Sequence, residues 1–138
     1  MTNVKNIKIM GILSKIATDV YPVANARLAA ALVYKNEIIS LGVNQKKSHP
    51  FQVKFCRHEE AIFLHSETDA IKNALKRYSL ETVSRSSLYI CRVKREHDNS
   101  KNMIWGLAKP CSGCQRAISS FNISTVYYTC DDSTISCL

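Results

Sequence analysis

The sequence lacks any long apolar run. None of its apolar stretches approaches the roughly 20 residues that a membrane-spanning helix needs. Lys8 and polar residues interrupt the apolar positions near the amino end, so a signal-peptide pattern is absent as well. We see no repeat, linker or low-complexity segment. These absences predict a cytoplasmic protein with no membrane partner, in which residues 1–138 fold as one domain.

Acidic residues are scarce relative to basic ones. The chain has 11 Asp and Glu against 19 Lys and Arg, which gives a formal net charge of +8. Such an excess favours an anionic partner, either a nucleotide phosphate or a nucleic-acid backbone. The basic residues are scattered, so their charge alone marks no phosphate site, although Arg27, Lys46 and Lys47 are candidates to meet one.

Most of the cysteines lack the spacing of metal ligands: Cys56, Cys91, Cys130 and Cys137. In a chain of this length without a secretory signal, we expect the cysteines to stay reduced. Cys91 lies in a strand-like run and is expected to be a small buried side chain. The remaining pair, Cys111 and Cys114, has the spacing C-x-x-C.

Two short motifs carry residues suited to metal-assisted hydrolysis, His65-Ser66-Glu67 and Pro110-Cys111-Ser112-Gly113-Cys114. A hydrolytic zinc ion takes three protein ligands and keeps a fourth position open for water. His65, Cys111 and Cys114 supply three ligands, and two thiolates with a neutral imidazole balance the charge of the ion. Glu67 then stays free to take a proton from the bound water and pass it to a reacting group.

Both motifs lie at predicted helix starts. Pro110 is expected at the first position of a helix over residues 111–121. The free amide groups and positive end of that helix favour deprotonated cysteines. Ser66-Glu67-Thr68-Asp69 fits a capping box at the start of a helix over residues 66–77. Two helix starts are therefore expected to converge on one ion.

Other interpretations of these residues remain open. A lone C-x-x-C is common in structural zinc sites and redox pairs, and a lone H-x-E is ordinary on a helix surface. A structural site needs a fourth ligand, for which His49, His58, His97 and the other cysteines are available. In such a zinc-stabilised, non-enzymatic domain, Glu67 is merely an acidic residue in a first helical turn.

Hydrophobic periodicity predicts the surrounding elements. Residues 7–20 have near-helical spacing, with an apolar stripe formed by Ile9, Ile12, Leu13, Ile16, Ala17 and Val20. Strands are predicted over 28–34 and 37–43, joined by a turn at Lys35-Asn36, and again over 88–93 and 125–129. Residues 130–138 are predicted to be a flexible tail. This order implies an α/β fold of three layers, with the later strands joined by right-handed helical crossovers.

Two polar stretches are predicted to be loops, residues 44–62 and 94–109. The first is expected to lie over a pocket. His49 and His58 within it are candidates for substrate contact, although a surface histidine is the more common case. Trp105 in the second stretch is either a base-stacking residue or an anchoring aromatic.

Taken together, H-x-E and P-C-x-x-C form a signature of zinc-dependent nucleobase deaminases. The chain resembles the cytidine and deoxycytidylate deaminase superfamily over residues 26–129. The likeness lies in Arg27-Leu28-Ala29-Ala30-Ala31-Leu32-Val33, Gly42-Val43-Asn44, His65-Ser66-Glu67 and residues 110–129. It implies a mixed central sheet of four to five strands flanked by helices, one catalytic Zn²⁺ per subunit, and assembly into homo-oligomers.

The resemblance also implies roles for single residues. The zinc ligands of the family are matched by His65, Cys111 and Cys114, and its proton shuttle by Glu67. Asn44 matches the asparagine that contacts the sugar in related enzymes. Ser66 stands where the family often has alanine, and the family uses the backbone N–H at this position to bind the pyrimidine oxygen.

Within the superfamily, residues 115–118 and 122–128 look most like the deoxycytidylate and tRNA-adenosine branches. The expected reaction is the hydrolysis of dCMP, a small pyrimidine nucleotide, to dUMP with release of ammonia. The alternatives are deamination of a base within tRNA or single-stranded DNA, and deamination of free cytidine or deoxycytidine. Little of the chain remains after Thr129 to form a further strand.

Overall fold

Helices and strands alternate along the chain in the computed structural model, which describes residues 3–23, 26–55 and 63–138. The elements are α1 (Val4–Thr18), β1 (Arg27–Tyr34), β2 (Glu37–Val43), β3 (Gln45–Ser48), α2 (Pro50–Phe55), β4 (Phe63–Leu64), α3 (Ser66–Leu75), α4 (Leu80–Ser84), β5 (Ser87–Arg95), β6 (Met103–Gly106), α5 (Ser112–Ser120), β7 (Thr125–Thr129) and β8 (Ile135–Cys137). None of these helices combines the length with the apolar character that crossing a bilayer requires.

The central sheet is mixed and has six strands. Its order is β2-β1-β5-β7-β8, and β6 pairs with the far half of β5. Strands β5 and β7 run parallel, whereas the other pairs are antiparallel. The predicted α/β class and mixed sheet are confirmed. The predicted number of four to five strands is too low, because β6 and β8 lie in segments predicted to be loop and tail.

The hairpin of β1 and β2 is built on its predicted turn. Lys35 and Asn36 have φ values of 49° and 69°, which is the left-handed backbone that a two-residue type I′ turn requires at both positions. Lys5 Nζ donates a hydrogen bond to Asn36 Oδ1 at 2.6 Å, so the turn is attached to α1. Strand β2 covers the predicted residues 37–43.

One face of the sheet packs against α1. Alternate residues of β1 and β5 point to this side, among them Ala29, Ala31, Tyr89 and Cys91. They meet the buried stripe of α1, which consists of Ile9, Met10, Leu13 and Ala17. The helix was predicted, but Met10 takes the place of Ile12 in its buried stripe, since Ile12 is 40% exposed.

The opposite face packs against the helices that carry the motifs. The intervening strand residues, including Ala30, Leu32, Leu88 and Ile90, form a second core with α3, α4 and α5. Ala70, Ile71 and Ala74, which share one face of α3, are fully buried there. The sheet therefore separates two hydrophobic cores, and the three-layer arrangement is confirmed.

Gly42 sets the distance between β2 and the start of α3. A Cβ atom on Gly42 would lie 2.2 Å from Ala70 N and 2.4 Å from Ser66 O. The carboxylate of Asp69 also accepts a hydrogen bond from Val43 N at 3.0 Å. The first turn of α3 is thereby held directly against the end of β2.

The carboxyl end departs from the predicted flexible tail at 130–138. Strand β8 pairs with β7, so that Thr129 lies opposite Ile135 and Tyr127 opposite Cys137. Cys130 N donates to Thr134 O at 2.9 Å and closes the connecting turn. The tail prediction was wrong because a strand of three residues is too short to show an alternating pattern. That residues 1–138 are a single domain stays a prediction.

The two stretches predicted to be loops contain short elements. In the first, β3 pairs with β4 and α2 lies between them in sequence. Phe51 of α2 stacks on Phe121 at the end of α5 with ring centroids 5.8 Å apart, and Phe55 meets the same ring edge-on at 6.2 Å. In the second, β6 extends the sheet along β5. These elements depend on tertiary contacts, so periodicity along the sequence does not reveal them.

Candidate active site

Three possible metal ligands converge where α3 and α5 begin. His65 directly precedes α3, and Cys111 and Cys114 lie at the start of α5. His65 Nδ1 is 3.2 Å from Cys114 Sγ and 3.6 Å from Cys111 Sγ. All three ligand atoms lie within 4.8 Å of one another. The structure thus brings together the three residues predicted from the two motifs.

The spacing of these atoms fits a zinc ion. At the tetrahedral angle, ordinary zinc–nitrogen and zinc–sulfur bonds place neighbouring N and S ligands about 3.6 Å apart. The two N–S separations here are 3.2 and 3.6 Å. Within residues 3–23, 26–55 and 63–138, no fourth His, Cys, Asp or Glu joins the group. One imidazole and two thiols therefore match a zinc site that keeps one position for a non-protein ligand.

Helix caps place the cysteines. Cys111 is the N-cap of α5, and its Sγ accepts a hydrogen bond from Cys114 N at 3.4 Å. A helix start with a sulfur acceptor orients both side chains toward the same point. Pro110 was predicted to occupy the first helical position, but it precedes the N-cap, so that prediction was wrong. The position of the helix is nevertheless that of the prediction, within one residue at each end.

The start of α3 is stabilised differently from the predicted capping box. His65 is the N-cap, and its side chain makes no capping hydrogen bond. Asp69 bonds instead to the backbone of β2 and to Gln45 Nε2, the latter at 3.1 Å. The capping-box prediction is therefore wrong, because the buried side chain of Asp69 bonds to β2 and β3 and not to its own helix start. His65 is left free of a capping role and faces the cysteines.

Hydrogen bonds within the group favour one thiolate. The hydrogen bond from Cys114 lowers the pKa of Cys111 to about 3, with a further contribution from His65. The same contact with Cys111, together with burial, raises the pKa of Cys114. The pKa of His65 is also raised, first by Cys111 and then by the charge of Glu67. Cys111 is thus held in the thiolate form that binds metals.

Glu67 lies beside this group in the first turn of α3. Its side chain is only 4% exposed. The hydroxyl of Ser66, itself buried, donates a hydrogen bond to Glu67 Oε1 at 2.7 Å. This contact fixes the orientation of the carboxylate. The carboxylate lines the same pocket as His65 and Cys111, and its charge contributes to the raised pKa of both His65 and Cys114.

A pocket of about 420 Å³ opens onto these residues. Its polar lining includes His65, Glu67, Cys111, Ser66 and Asn44. Apolar residues form much of the remaining wall: Val23, Ala26, Leu28, Phe63, Leu64, Leu107 and Ala108. Apolar walls with a few convergent polar groups are typical of small-molecule sites, and the volume falls in their usual range.

Asn44 lines the pocket at the end of β2. Its Oδ1 accepts a hydrogen bond from Leu28 N at 2.8 Å, and its Nδ2 donates to Ala26 O at 2.9 Å. These two bonds fix the amide plane against the start of β1. An amide oxygen has a second lone pair and an amide nitrogen a second hydrogen. Asn44 is therefore a rigidly held side chain that retains the capacity to bind a ligand.

Of four further candidate residues, three are not in the pocket lining and one lies outside the described residues. Trp105 packs on the α1 face of the sheet, where its Nε1 donates to Ser14 Oγ at 2.8 Å. The anchoring interpretation of Trp105 is therefore the correct one. His49 Nδ1 accepts a hydrogen bond from Phe51 N at 3.1 Å at the start of α2. His97 is exposed and does not belong to the metal-ligand group. His58 lies outside the described residues.

Gln52 is a functional candidate that sequence reasoning missed. It is fully buried in α2. Its Oε1 accepts a hydrogen bond from His65 N at 3.0 Å and another from the hydroxyl of Thr68. The residue thereby positions the metal-ligating histidine from outside α3. A single glutamine between aromatic and aliphatic residues carries no sequence signal, because its importance comes from a contact across the fold.

The pocket also has three basic side chains, Lys46, Arg92 and Lys109. Lys46 was among the residues considered for a phosphate. Arg27 does not line the pocket and donates from Nε to Val20 O at 3.3 Å. Arg92 was missed because a basic residue within a predicted strand ordinarily faces solvent. Only the neighbouring strands reveal that it turns toward the pocket.

The comparison with known proteins gives a family for the chain. No curated protein matches it by sequence. The model of the cytidine and deoxycytidylate deaminase zinc-binding region matches residues 4–130.

Solved structures agree with this fold. The apo dCMP deaminase of the cyanophage S-TIM5 is 18% identical with a TM-score of 0.61, over 94% of this chain and 85% of that chain. The same enzyme in complex with dCMP and dUMP gives a TM-score of 0.59 at 18% identity, over 94% of this chain and 83% of that chain. Cytidine deaminase from Burkholderia pseudomallei is 15% identical with a TM-score of 0.64, over 100% of this chain and 92% of that chain.

At these identities the structures establish the fold alone, which is the cytidine-deaminase-like fold predicted from the sequence. The family model, in contrast, covers nearly the whole chain, including both motifs. The chain therefore belongs to the cytidine and deoxycytidylate deaminase family.

Proposed function

We propose that the protein hydrolyses dCMP to dUMP and releases ammonia, using one zinc ion per subunit. The observation that carries the proposal is the position of Glu67, whose buried carboxylate shares a pocket with His65 and Cys111. Membership of the deaminase family supports the reaction class. The cyanophage dCMP deaminase, solved with dCMP and dUMP, supports a nucleotide as the substrate.

His65, Cys111 and Cys114 are the residues that would hold the zinc ion. When bound, zinc supplies a Lewis acid that lowers the pKa of water toward neutrality. Two cysteine thiolates compensate the charge of a divalent cation, so the chain can hold it in a largely apolar pocket. The low pKa of Cys111, about 3, means that this ligand needs no deprotonation at neutral pH.

Glu67 is assigned the proton transfers. Its carboxylate takes a proton from the attacking water and delivers it to N3 of the cytosine, which makes C4 more electrophilic. The oxygen forms a bond to C4. Glu67 then transfers the second proton to the exocyclic nitrogen, so the C4–N4 bond breaks and ammonia leaves. The hydrogen bond from Ser66 Oγ keeps the carboxylate oriented through both transfers.

Ser66 and Asn44 are assigned to substrate binding. Ser66 is the first residue of α3, and the first amide groups of a helix have no partner within it. The Ser66 N–H is thus available for the pyrimidine oxygen. Asn44 is held in the pocket wall by its bonds to Ala26 and Leu28, in a position suited to the sugar. Leu107 and Phe63 supply apolar surface for the base.

Free nucleosides and bases within a nucleic acid are the alternative substrates. The basic side chains of Lys46, Arg92 and Lys109 in the pocket lining favour a phosphate-bearing substrate over free cytidine or deoxycytidine. A base within tRNA or single-stranded DNA carries phosphates too. Trp105, however, packs on the far side of the sheet and offers no stacking surface in the pocket. A cytoplasmic location and assembly into oligomers stay predictions.

The test is ammonia release by the zinc-loaded protein. The panel consists of dCMP, CMP, deoxycytidine, cytidine, adenosine and a cytosine-containing single strand. We expect turnover of dCMP with the highest kcat/KM. Turnover of the single strand alone would assign the protein to nucleic-acid editing. No turnover of any cytosine compound would overturn the proposal.

Gln52 gives a prediction about the metal. Gln52→Leu removes the acceptor for His65 N and for the Thr68 hydroxyl and replaces it with an apolar side chain of similar size. Residues that orient metal ligands typically contribute about 10- to 100-fold to metal affinity. We therefore expect zinc affinity, measured by competition with a chromophoric chelator, to fall by at least about 10-fold. Val53→Ala, at the neighbouring position that is 48% exposed, is the control. Equal affinities of the two variants would contradict the role of Gln52.

A further inference from the structure

Arg92 lies on β5 in a row of residues that crosses three strands. It pairs with Leu28 of β1 on one side and with Gly106 of β6 on the other. Directly opposed residues of antiparallel strands point to the same face of a sheet. Leu28 packs with the core on the α3 side, and both Leu28 and Arg92 line the pocket. The side chain of Arg92 thus belongs to the same pocket as His65 and Glu67.

The arginine is accommodated by the absence of a side chain at Gly106. A Cβ atom on Gly106 would lie 3.2 Å from Arg92 Cδ and 3.3 Å from Arg92 Cγ. Such distances are tighter than ordinary contacts, so Gly106 lets the arginine stem lie across β6. Arg92 N also donates to Thr129 Oγ1 of β7 at 3.1 Å, and this bond fixes the backbone of Arg92.

The guanidinium of Arg92 has a buried donor that no described residue accepts from. Within the part of the chain that the structure describes, Arg92 Nε is buried and has no hydrogen-bond partner. A buried donor of a charged group is costly to leave unpaired. In native proteins such groups are rare and call for a partner such as a bound ligand.

Asp131 feels the charge of Arg92 but is hydrogen-bonded to other groups. Its carboxylate accepts from Lys94 Nζ at 2.7 Å and from Leu107 N at 3.1 Å. Lys94 is the main cause of the lowered pKa of Asp131, and the charge of Arg92 contributes least. Lys46 and Lys109 add positive charge to the same pocket. These three basic side chains outnumber the Glu67 carboxylate in the pocket lining, which favours an anionic ligand.

We infer that Arg92 is a specificity-determining residue that binds the 5′-phosphate of the nucleotide, an inference that rests on the proposed function. Asn44, assigned to the sugar, is bonded to the backbone of Leu28, which is the residue opposite Arg92. Paired strands are about 4.8 Å apart, so Arg92 lies one strand beyond the sugar position. A guanidinium donates to phosphate oxygens in a bidentate geometry that lysine lacks.

The test compares a nucleotide with its nucleoside. The kcat/KM values for dCMP and for deoxycytidine are measured for the zinc-loaded wild type and for Arg92→Gln. A hydrogen-bonded charge pair is worth roughly 10- to 100-fold in binding. We expect Arg92→Gln to lower the kcat/KM for dCMP, relative to the kcat/KM for deoxycytidine, by that factor. The loss should come chiefly from a higher KM for dCMP.

Arg95→Gln is the matched control, because it removes the same charge from the same strand. Arg95 is exposed and pairs with Met103, whose side chain packs on the α1 face. We expect this variant to keep the wild-type ratio. An unchanged ratio in Arg92→Gln, or an equal loss in both variants, would overturn the inference while leaving deamination of dCMP intact. A wild type that does not turn over dCMP would instead overturn the proposed function.

Arg92→Lys separates charge from geometry. It keeps the positive charge and loses the bidentate fork. For Arg92→Lys we expect a ratio of kcat/KM values, dCMP over deoxycytidine, between those of the wild type and Arg92→Gln. Added salt should raise the KM for dCMP more steeply in the wild type than in Arg92→Gln. If Arg92→Gln does not fold, as judged by circular dichroism, Arg92→Lys alone decides. A wild-type ratio in a folded Arg92→Lys would then overturn the inference.

Discussion

Glu67→Gln is expected to lower kcat for deamination by about 10²- to 10⁴-fold, the range that general acid–base groups contribute. The substitution keeps the length of the side chain and retains an oxygen that can accept the hydrogen bond from Ser66 Oγ, which is 2.7 Å long in the native protein. It removes the negative charge of the carboxylate and with it the capacity to take and return a proton. The loss is therefore expected in kcat and not in the fold.

Zinc content distinguishes this result from damage to the site. Glu67 is not one of the three grouped ligands, which are His65, Cys111 and Cys114. Zinc measured by atomic emission is therefore expected to stay at one ion per chain in Glu67→Gln. Glu81→Gln provides a control, because Glu81 lies on α4 with 68% of its side chain exposed and pairs with Arg85. We expect this variant to retain wild-type turnover.

The opposite result would support a different kind of protein. If Glu67→Gln kept its turnover, another group would have to move the protons. If wild type and variant both bound zinc with no turnover of any panel substrate, the non-enzymatic alternative would stand, with Glu67 serving only as a first-turn acid. The measurement thus separates the catalytic from the structural interpretation of the same three ligands.

The metal-ligand group was predictable from the sequence because its members follow local rules. His65 and Glu67 are two residues apart at one helix start, and Cys111 and Cys114 are three apart at another. Helix geometry makes such spacings meaningful without knowledge of the fold. The turn at Lys35-Asn36 was predictable for the same reason, since its backbone conformation depends on adjacent residues.

The groups that support the site follow no local rule. Gln52 reaches His65 from a different helix, and Arg92 faces the pocket only because β1 and β6 flank it. Strand β8 exists because β7 offers it an edge. Each of these features depends on contacts between segments distant in sequence. Periodicity and spacing along a single sequence do not reveal these contacts.

Gly42→Ala is expected to destabilise the protein by about 3 kcal/mol or more, because the added methyl group meets backbone atoms. The nearest would be Ala70 N at 2.2 Å, Ser66 O at 2.4 Å and the carbonyl carbon of Asp69 at 2.8 Å. Side chains can rotate away from a new methyl group, but the first turn of α3 has to move as a unit. Against a typical total stability of about 5 to 15 kcal/mol, this is a large fraction.

The shift of α3 expected in Gly42→Ala also affects the candidate site. His65 and Glu67 lie in the segment that Gly42 contacts, whereas Cys111 and Cys114 belong to α5 on the other side of the metal position. A shift of α3 away from β2 changes the separation of His65 from the cysteines. We therefore expect a lower zinc affinity in Gly42→Ala in addition to a Tm lower by about 10 °C or more.

Gly11→Ala is the matched control, because the same substitution has the opposite expected sign. A Cβ atom on Gly11 meets nothing within 4 Å, and the residue lies inside α1. Alanine in a helix interior is more favourable than glycine by about 0.5 to 1 kcal/mol. Thermal and urea denaturation followed by circular dichroism should thus show a higher Tm for Gly11→Ala and a lower one for Gly42→Ala. Equal stability of the two variants would mean that β2 and α3 do not approach as closely as the structure places them, and the position of His65 and Glu67 would have to be revised with them.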